Sequence, residues 1–140
     1  MKESIKNDIK GKDSKMYGTV AHNIYAQNNV GIESPEKLIE MLYEGVLRFN
    51  AQAKKALKDN NIEKKFYWTN RSINIIVELI SVLDMEQKGT VTPYLFGLYN
   101  YQIQILSEAV AYNKVQKIDE CSNVFRSLLE AWKDETHVVI

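Results

Sequence analysis

The stretch SPEKLIEMLYEGVLRF, residues 34–49, decides the fold. Ser34 is a side chain that accepts hydrogen bonds from the free N–H groups of a helix start, and Pro35 suits the first helical position, where its missing N–H costs nothing. Glu36 sets a negative charge at the positive end of the helix dipole. Leu38, Met41, Leu42, Val46, Phe49 and Ala53 then recur at three- and four-residue steps, the spacing of one buried helical face. A second apolar row, Ile39, Tyr43 and Leu47, adjoins the first. One row is enough to pack a helix on its neighbour, so the second calls for its own explanation.

Working outward, this helix is predicted from Pro35 to about Lys58, a length of roughly 35 Å at 1.5 Å per residue. Asp59-Asn60-Asn61 is a turn. A second helix follows from about Ile62 to Glu86, with Ile62, Phe66, Thr69, Ile73, Ile76, Ile80 and Leu83 on one line and Trp68, Ile75, Leu79 and Val82 on another. Lys88-Gly89 is its stop. Thr92-Pro93 repeats the Ser34-Pro35 signature and opens a third helix to about Asn113, apolar nearly all the way round. The fourth, about Val115 to Glu135, carries a single stripe of Ile118, Cys121, Phe125, Leu128, Leu129 and Trp132 opposite a charged face.

Four helices of similar length joined by short turns force antiparallel neighbours. The expected fold is all-α, an up-down four-helix bundle over residues 34–135. Upstream, residues 1–15 read as a polar mobile tail. Residues 16–33 read as a short helical cap segment with Tyr17, Ile24 and Tyr25 on its apolar row, too short to hold itself together. Residues 136–140 read as a short C-terminal tail.

With 140 residues the chain suits one domain with a real core. Its 18 basic residues balance 18 acidic ones, so net charge points to neither nucleic acid nor an anionic membrane. The lone Cys121 forms neither an internal disulfide nor a multi-cysteine metal site, which suits a reducing cytoplasm. No apolar run approaches the roughly 20 residues of a membrane helix, and no signal-peptide core is present.

Enzymatic chemistry finds little support. A di-metal carboxylate bundle needs paired Glu-x-x-His motifs; the chain has only His22 and His137, and no cofactor or metal is expected. Cys121 on the apolar stripe reads as an inert buried thiol. Gly45 and Gly97 interrupt helices at about 1 kcal/mol each relative to alanine, either for close helix packing or to leave room for a partner backbone. The lysines around the first turn lack the interleaved aromatics of a nucleic-acid surface. What remains is surplus apolar surface on the first three helices, suited to a groove for an extended or helical peptide. A thick core or a homodimer explains the same surplus. The cap segment is the right kind of element to cover such a groove.

Residues 34–46 closely resemble the first-helix motif of the FliS-type flagellar export chaperones. Asn23-Ile24-Tyr25-Ala26-Gln27 resembles their N-terminal Tyr-Gln segment. Ile62-Glu63-Lys64, Leu83-Asp84-Met85-Glu86, Leu98-Tyr99 and Leu129-Glu130-Ala131-Trp132-Lys133 follow in the family's order. Residues 1–15 lie outside the pattern, and Gly31-Ile32-Glu33 departs from it just before the cap. The resemblance implies a small cytoplasmic, non-enzymatic bundle. Such a protein binds the disordered C-terminal segment of newly made flagellin, blocks premature polymerisation and aids type III export. A co-chaperone, a regulatory protein or an export-gate component is a further partner to expect. The candidate flagellin-binding track is Ile39, Tyr43 and Leu47, then Ile75, Leu79 and Val82, then Tyr94 and Tyr101, with Tyr17, Ile24 and Tyr25 as its cover. Two rival readings are a homodimeric helical scaffold or adaptor, and a metal- or cofactor-binding bundle enzyme. A monomer or weak homodimer is expected.

Overall fold

A computed structural model describes residues 34–86, 89 and 91–137. They form four helices: α1 (Pro35–Lys58), α2 (Ile62–Ser81), α3 (Val91–Tyr112) and α4 (Val115–His137). No strand occurs among the described residues. The expected cap residues Tyr17, Ile24 and Tyr25 lie outside this range.

The helix ends follow local chemistry. The Ser34 side chain accepts the Lys37 N–H at 3.2 Å, and Pro35 and Glu36 occupy the first turn of α1. At the other end Asn60 takes a left-handed φ of 55°. This lets the Asn60 N–H reach the Leu57 carbonyl and the Asn61 N–H reach that of Ala56, the pair of bonds that closes a Schellman cap. Asn61 then caps α2, its side chain accepting the Lys64 N–H at 3.0 Å. Asn113, at φ 56°, closes α3 in the same way, with the Lys114 N–H on the Ala109 carbonyl.

Two boundaries differ from expectation. Helix α2 stops at Ser81 rather than near Glu86. The Ser81 hydroxyl donates to the Glu78 carbonyl, and Asp84 accepts the Glu86 N–H; such local bonds compete with helix continuation. Val82 and Leu83 still turn inward and are buried. Helix α3 begins at Val91, so Thr92 lies inside its first turn, buried, instead of capping it. Pro93 remains within the first turn, where an N–H has no helical partner to lose.

Contacts run α1–α2, α2–α3, α3–α4 and α4–α1, a closed square. Lys54 pairs with Asp119 near one end of α1, and Trp132 donates to the Glu36 carbonyl at the other, so α1 and α4 are antiparallel. Sequential helices reverse at each short turn, which completes the up-down order. Leu42, Val46, Ile76, Leu95, Leu106 and Phe125 fill the interior. Each such side chain contributes roughly 1.5–3 kcal/mol when fully buried.

Two sets of polar groups inside the core are paired across helices. The Tyr43 and Tyr99 hydroxyls meet at 2.8 Å, with the Phe125 ring edge-on to Tyr43 and stacked on Tyr99. One layer away, Ser72 donates to the Asn50 carbonyl oxygen at 2.6 Å, and the Asn50 amide donates to Ser122 at 3.2 Å. This layer joins α1, α2 and α4. Sliding one helix past another would strand Asn50 in the interior, so the layer holds the register.

Candidate functional site

Five of the eight residues of the sequence-based track are core residues. Ile39, Tyr43, Ile75, Leu79 and Val82 belong to the buried cluster, each at most 1% exposed. The expectation that they line an open surface is corrected, and the reason differs by helix. On α1, the two apolar rows are the margins of one wide face. A helix in a square bundle meets two neighbours, and Tyr43 adds a contact across the diagonal. On α2, the middle of the inward face holds Thr69 and Ser72, both buried. Counting apolar residues therefore shifted the apparent face sideways: Ile62 and Phe66, expected inside, are exposed, while Ile73 and Ile80 are half-buried. Leu47 packs half-buried at the edge of the core.

Tyr94 and Tyr101 stand on the surface as expected, at 65% and 56% exposure. Tyr94 belongs to a feature that the sequence reading passed over. Tyr94, Leu98, Asn123, Val124, Ser127, Leu128 and Ala131 line an open furrow of about 450 Å³ between α3 and α4. Its walls come from Tyr94 and Leu98 on α3 and from Val124, Leu128 and Ala131 on α4, at four- and three-residue steps, and Tyr101 continues the α3 row one turn beyond Leu98. That spacing was the available signal. On α4 it was masked by the stronger stripe of Cys121, Phe125 and Trp132, which is buried.

Gly97 sits between Tyr94 and Tyr101 in sequence and is exposed. A Cβ built there meets nothing within 4 Å. Close packing inside the bundle therefore does not account for this glycine, although Gly45 on α1 is buried. The result is bare helix backbone beside the furrow. Phe66 and Val77 on α2 and Phe96 on α3 are exposed as well.

The titratable groups describe an unreactive interior. Burial pushes the Tyr43 hydroxyl up to about 12, partly offset by its bond to Tyr99, and drives Tyr99 upward as well. Burial likewise pushes the Cys121 thiol up to about 12, against a smaller opposing effect of Asn50, so no thiolate forms at neutral pH. Among the described residues no group of three or more His, Cys, Asp and Glu side chains converges as metal ligands would. None of the described helices is long and apolar enough to cross a membrane.

Residues 17–137 match the family described as "Flagellar protein FliS". The flagellar secretion chaperone FliS of Campylobacter jejuni is 50% identical over 119 residues, covering 85% of this chain and 93% of that protein. The protein of the same name from Escherichia coli is 33% identical over 126 residues, 85% of this chain and 91% of its own. That of Salmonella typhimurium is 34% identical over 125 residues, 84% and 91% respectively. With a family match across the whole bundle and this identity to its relatives, the chain belongs to the FliS family of flagellar secretion chaperones.

Proposed function

We propose that the protein is a cytoplasmic chaperone that holds the disordered C-terminal segment of flagellin. It thereby prevents premature polymerisation and aids delivery to the flagellar type III export apparatus. The observation that carries this reading is the open apolar furrow between α3 and α4, edged by the exposed Tyr94, on a chain of the secretion-chaperone family. Tyrosine suits such an edge because its ring binds apolar surface while its hydroxyl stays wet. Leu98, Val124 and Leu128 form the floor, and bare backbone at Gly97 admits a close-lying partner chain. The buried members of the earlier track, Ile39, Tyr43, Ile75, Leu79 and Val82, act beneath this surface by holding the helices in place.

A segment that orders on binding loses conformational entropy, which keeps its affinity within a releasable range. If the segment around Tyr17, Ile24 and Tyr25 competes with cargo, as the family resemblance implies, deleting residues 17–30 raises cargo affinity. The main test is calorimetric titration with a synthetic flagellin C-terminal peptide. Tyr94→Asp and Tyr101→Asp each weaken binding at least tenfold, equivalent to about 1.4 kcal/mol, with the helical circular dichroism unchanged. Wild-type affinity in both variants overturns the assignment of this face. A homodimeric scaffold is the second reading, since a second copy would cover the same exposed tyrosines. Sedimentation at low micromolar concentration separates the two: a dimer that peptide does not dissociate favours the scaffold.

A further inference from the structure

The square arrangement of helices sets the α1–α2 face opposite the furrow, and that face carries a cluster with a different chemistry. The Phe49 ring lies 5.6 Å from that of Trp68, and Trp68 meets Tyr67 edge to face at 4.8 Å. Two guanidinium groups stack on this cluster. Arg71 lies 4.7 Å from the centre of Phe49, 5.6 Å from Tyr67 and 5.9 Å from Trp68, and Arg48 lies 5.4 Å from Phe49. Sharing one ring, the two charges sit within about 10 Å of each other, one Debye length at 0.1 M salt.

Neither guanidinium has a carboxylate within ion-pair distance among the described residues. Arg71 makes one hydrogen bond, from Nη1 to the Tyr67 hydroxyl at 3.1 Å, and its Nε is shielded from water with no acceptor. Stacking occupies the face of a guanidinium and leaves its in-plane donors unused. Glu44, one turn before Arg48, is exposed and does not pair with it. Trp, Tyr and Arg are also the residues that concentrate binding energy at protein interfaces.

We infer that Arg48, Tyr67, Trp68 and Arg71, seated around the buried ring of Phe49, form a second docking surface, for an acidic peptide segment of a partner protein. Carboxylates of that segment pair with the two guanidiniums while a neighbouring apolar side chain lies against Tyr67 and Trp68. This surface is independent of the cargo reading and lies on the far side of the bundle from the furrow. The chaperone therefore binds both at once.

The test uses the full chain and an amidated peptide of about a dozen residues in which Asp and Glu alternate with Leu and Tyr. A control peptide carries Asn and Gln in their place. The Arg71 Nε–Hε resonance is followed by NMR, together with the Trp68 indole resonance. The acidic peptide is expected to shift both. Arg48→Gln and Arg71→Gln are expected to weaken binding at least tenfold, as is raising the salt to 0.5 M, while a peptide bound at the furrow stays bound. Arg71→Lys, which keeps the charge and loses the planar fork, falls between. Equal binding of the neutral peptide, equal shifts from inorganic phosphate, or no shift up to millimolar acidic peptide each overturns the proposal. Self-association through these residues, seen by sedimentation without peptide, overturns it in favour of a second copy.

Discussion

Removing one hydroxyl from the Tyr43–Tyr99 pair should cost more than removing both. The two oxygens meet at 2.8 Å in the core, at 0% and 2% exposure. Tyr43→Phe deletes one partner and leaves the Tyr99 hydroxyl buried without a bond, at a cost of about 1–3 kcal/mol. Tyr99→Phe does the converse at similar cost. The double variant leaves no orphaned group, only a small gap between apolar rings, and is expected within about 1 kcal/mol of wild type, since replacing both partners by apolar groups is nearly neutral. The coupling energy from the cycle is then about 1–3 kcal/mol. For a bundle of this size each kcal/mol moves Tm by roughly 4–8 °C, so the single variants melt visibly earlier than the double. Urea titration followed by circular dichroism, with the m-value unchanged, provides the free energies. Additive losses, with the double variant as weak as the sum of the singles, would refute the idea that the bond matters through the orphan it prevents.

The same pair gives a sign for alkaline stability. An unfolded tyrosine titrates near 10, whereas burial holds Tyr43 up to about 12. Between those values the unfolded chain has released a proton that the folded chain retains, so stability is full below pH 10 and falls by about 2–3 kcal/mol as pH rises to 12. The double phenylalanine variant should show a flatter profile in a urea series against pH. Leu79→Asp is expected to abolish cooperative melting, because Leu79 is 1% exposed and a buried leucine truncated even to alanine costs about 2–5 kcal/mol; retention of the helical spectrum would show that the residue faces outward. Gly97→Ala is expected to stabilise the protein by up to about 1 kcal/mol yet weaken flagellin-peptide binding, and unchanged calorimetric affinity would remove the close-approach argument. Cys121 should resist a thiol-specific reagent in native buffer and react fully in denaturant; reaction at the rate of a free thiol would contradict its burial.

The architecture was readable because helix starts and spacing are local. Ser34-Pro35, the two turns and the stripe on α4 needed no tertiary information. The site was less readable for a physical reason. Whether an apolar row faces in or out depends on what fills the middle of the buried face. On α2 that middle holds Thr69 and Ser72, whose polarity disguises their burial and is compensated for Ser72 by Asn50, twenty-two positions away. No window along the chain reveals that pairing. On α1 the face is wide because a diagonal partner, Tyr99, reaches Tyr43 from another helix. The furrow had the opposite problem: Val124 and Ala131 are unremarkable alone and become a wall only when α3 sets Tyr94 and Leu98 against them.

The Trp132 indole bonded to the Glu36 carbonyl brings the last turns of α4 against the first turn of α1. Ala131 and Tyr94, which bound one end of the furrow, are at this same pole. A fluorophore attached to an exposed side chain at this pole, such as Asp134 in the last turns of α4, is thus set next to the furrow's mouth, where it competes for the surface being assayed. Reporters and surface-immobilisation handles belong at the other pole, in the Asn60-Asn61 or Asn113-Lys114 turns, whose side chains are exposed.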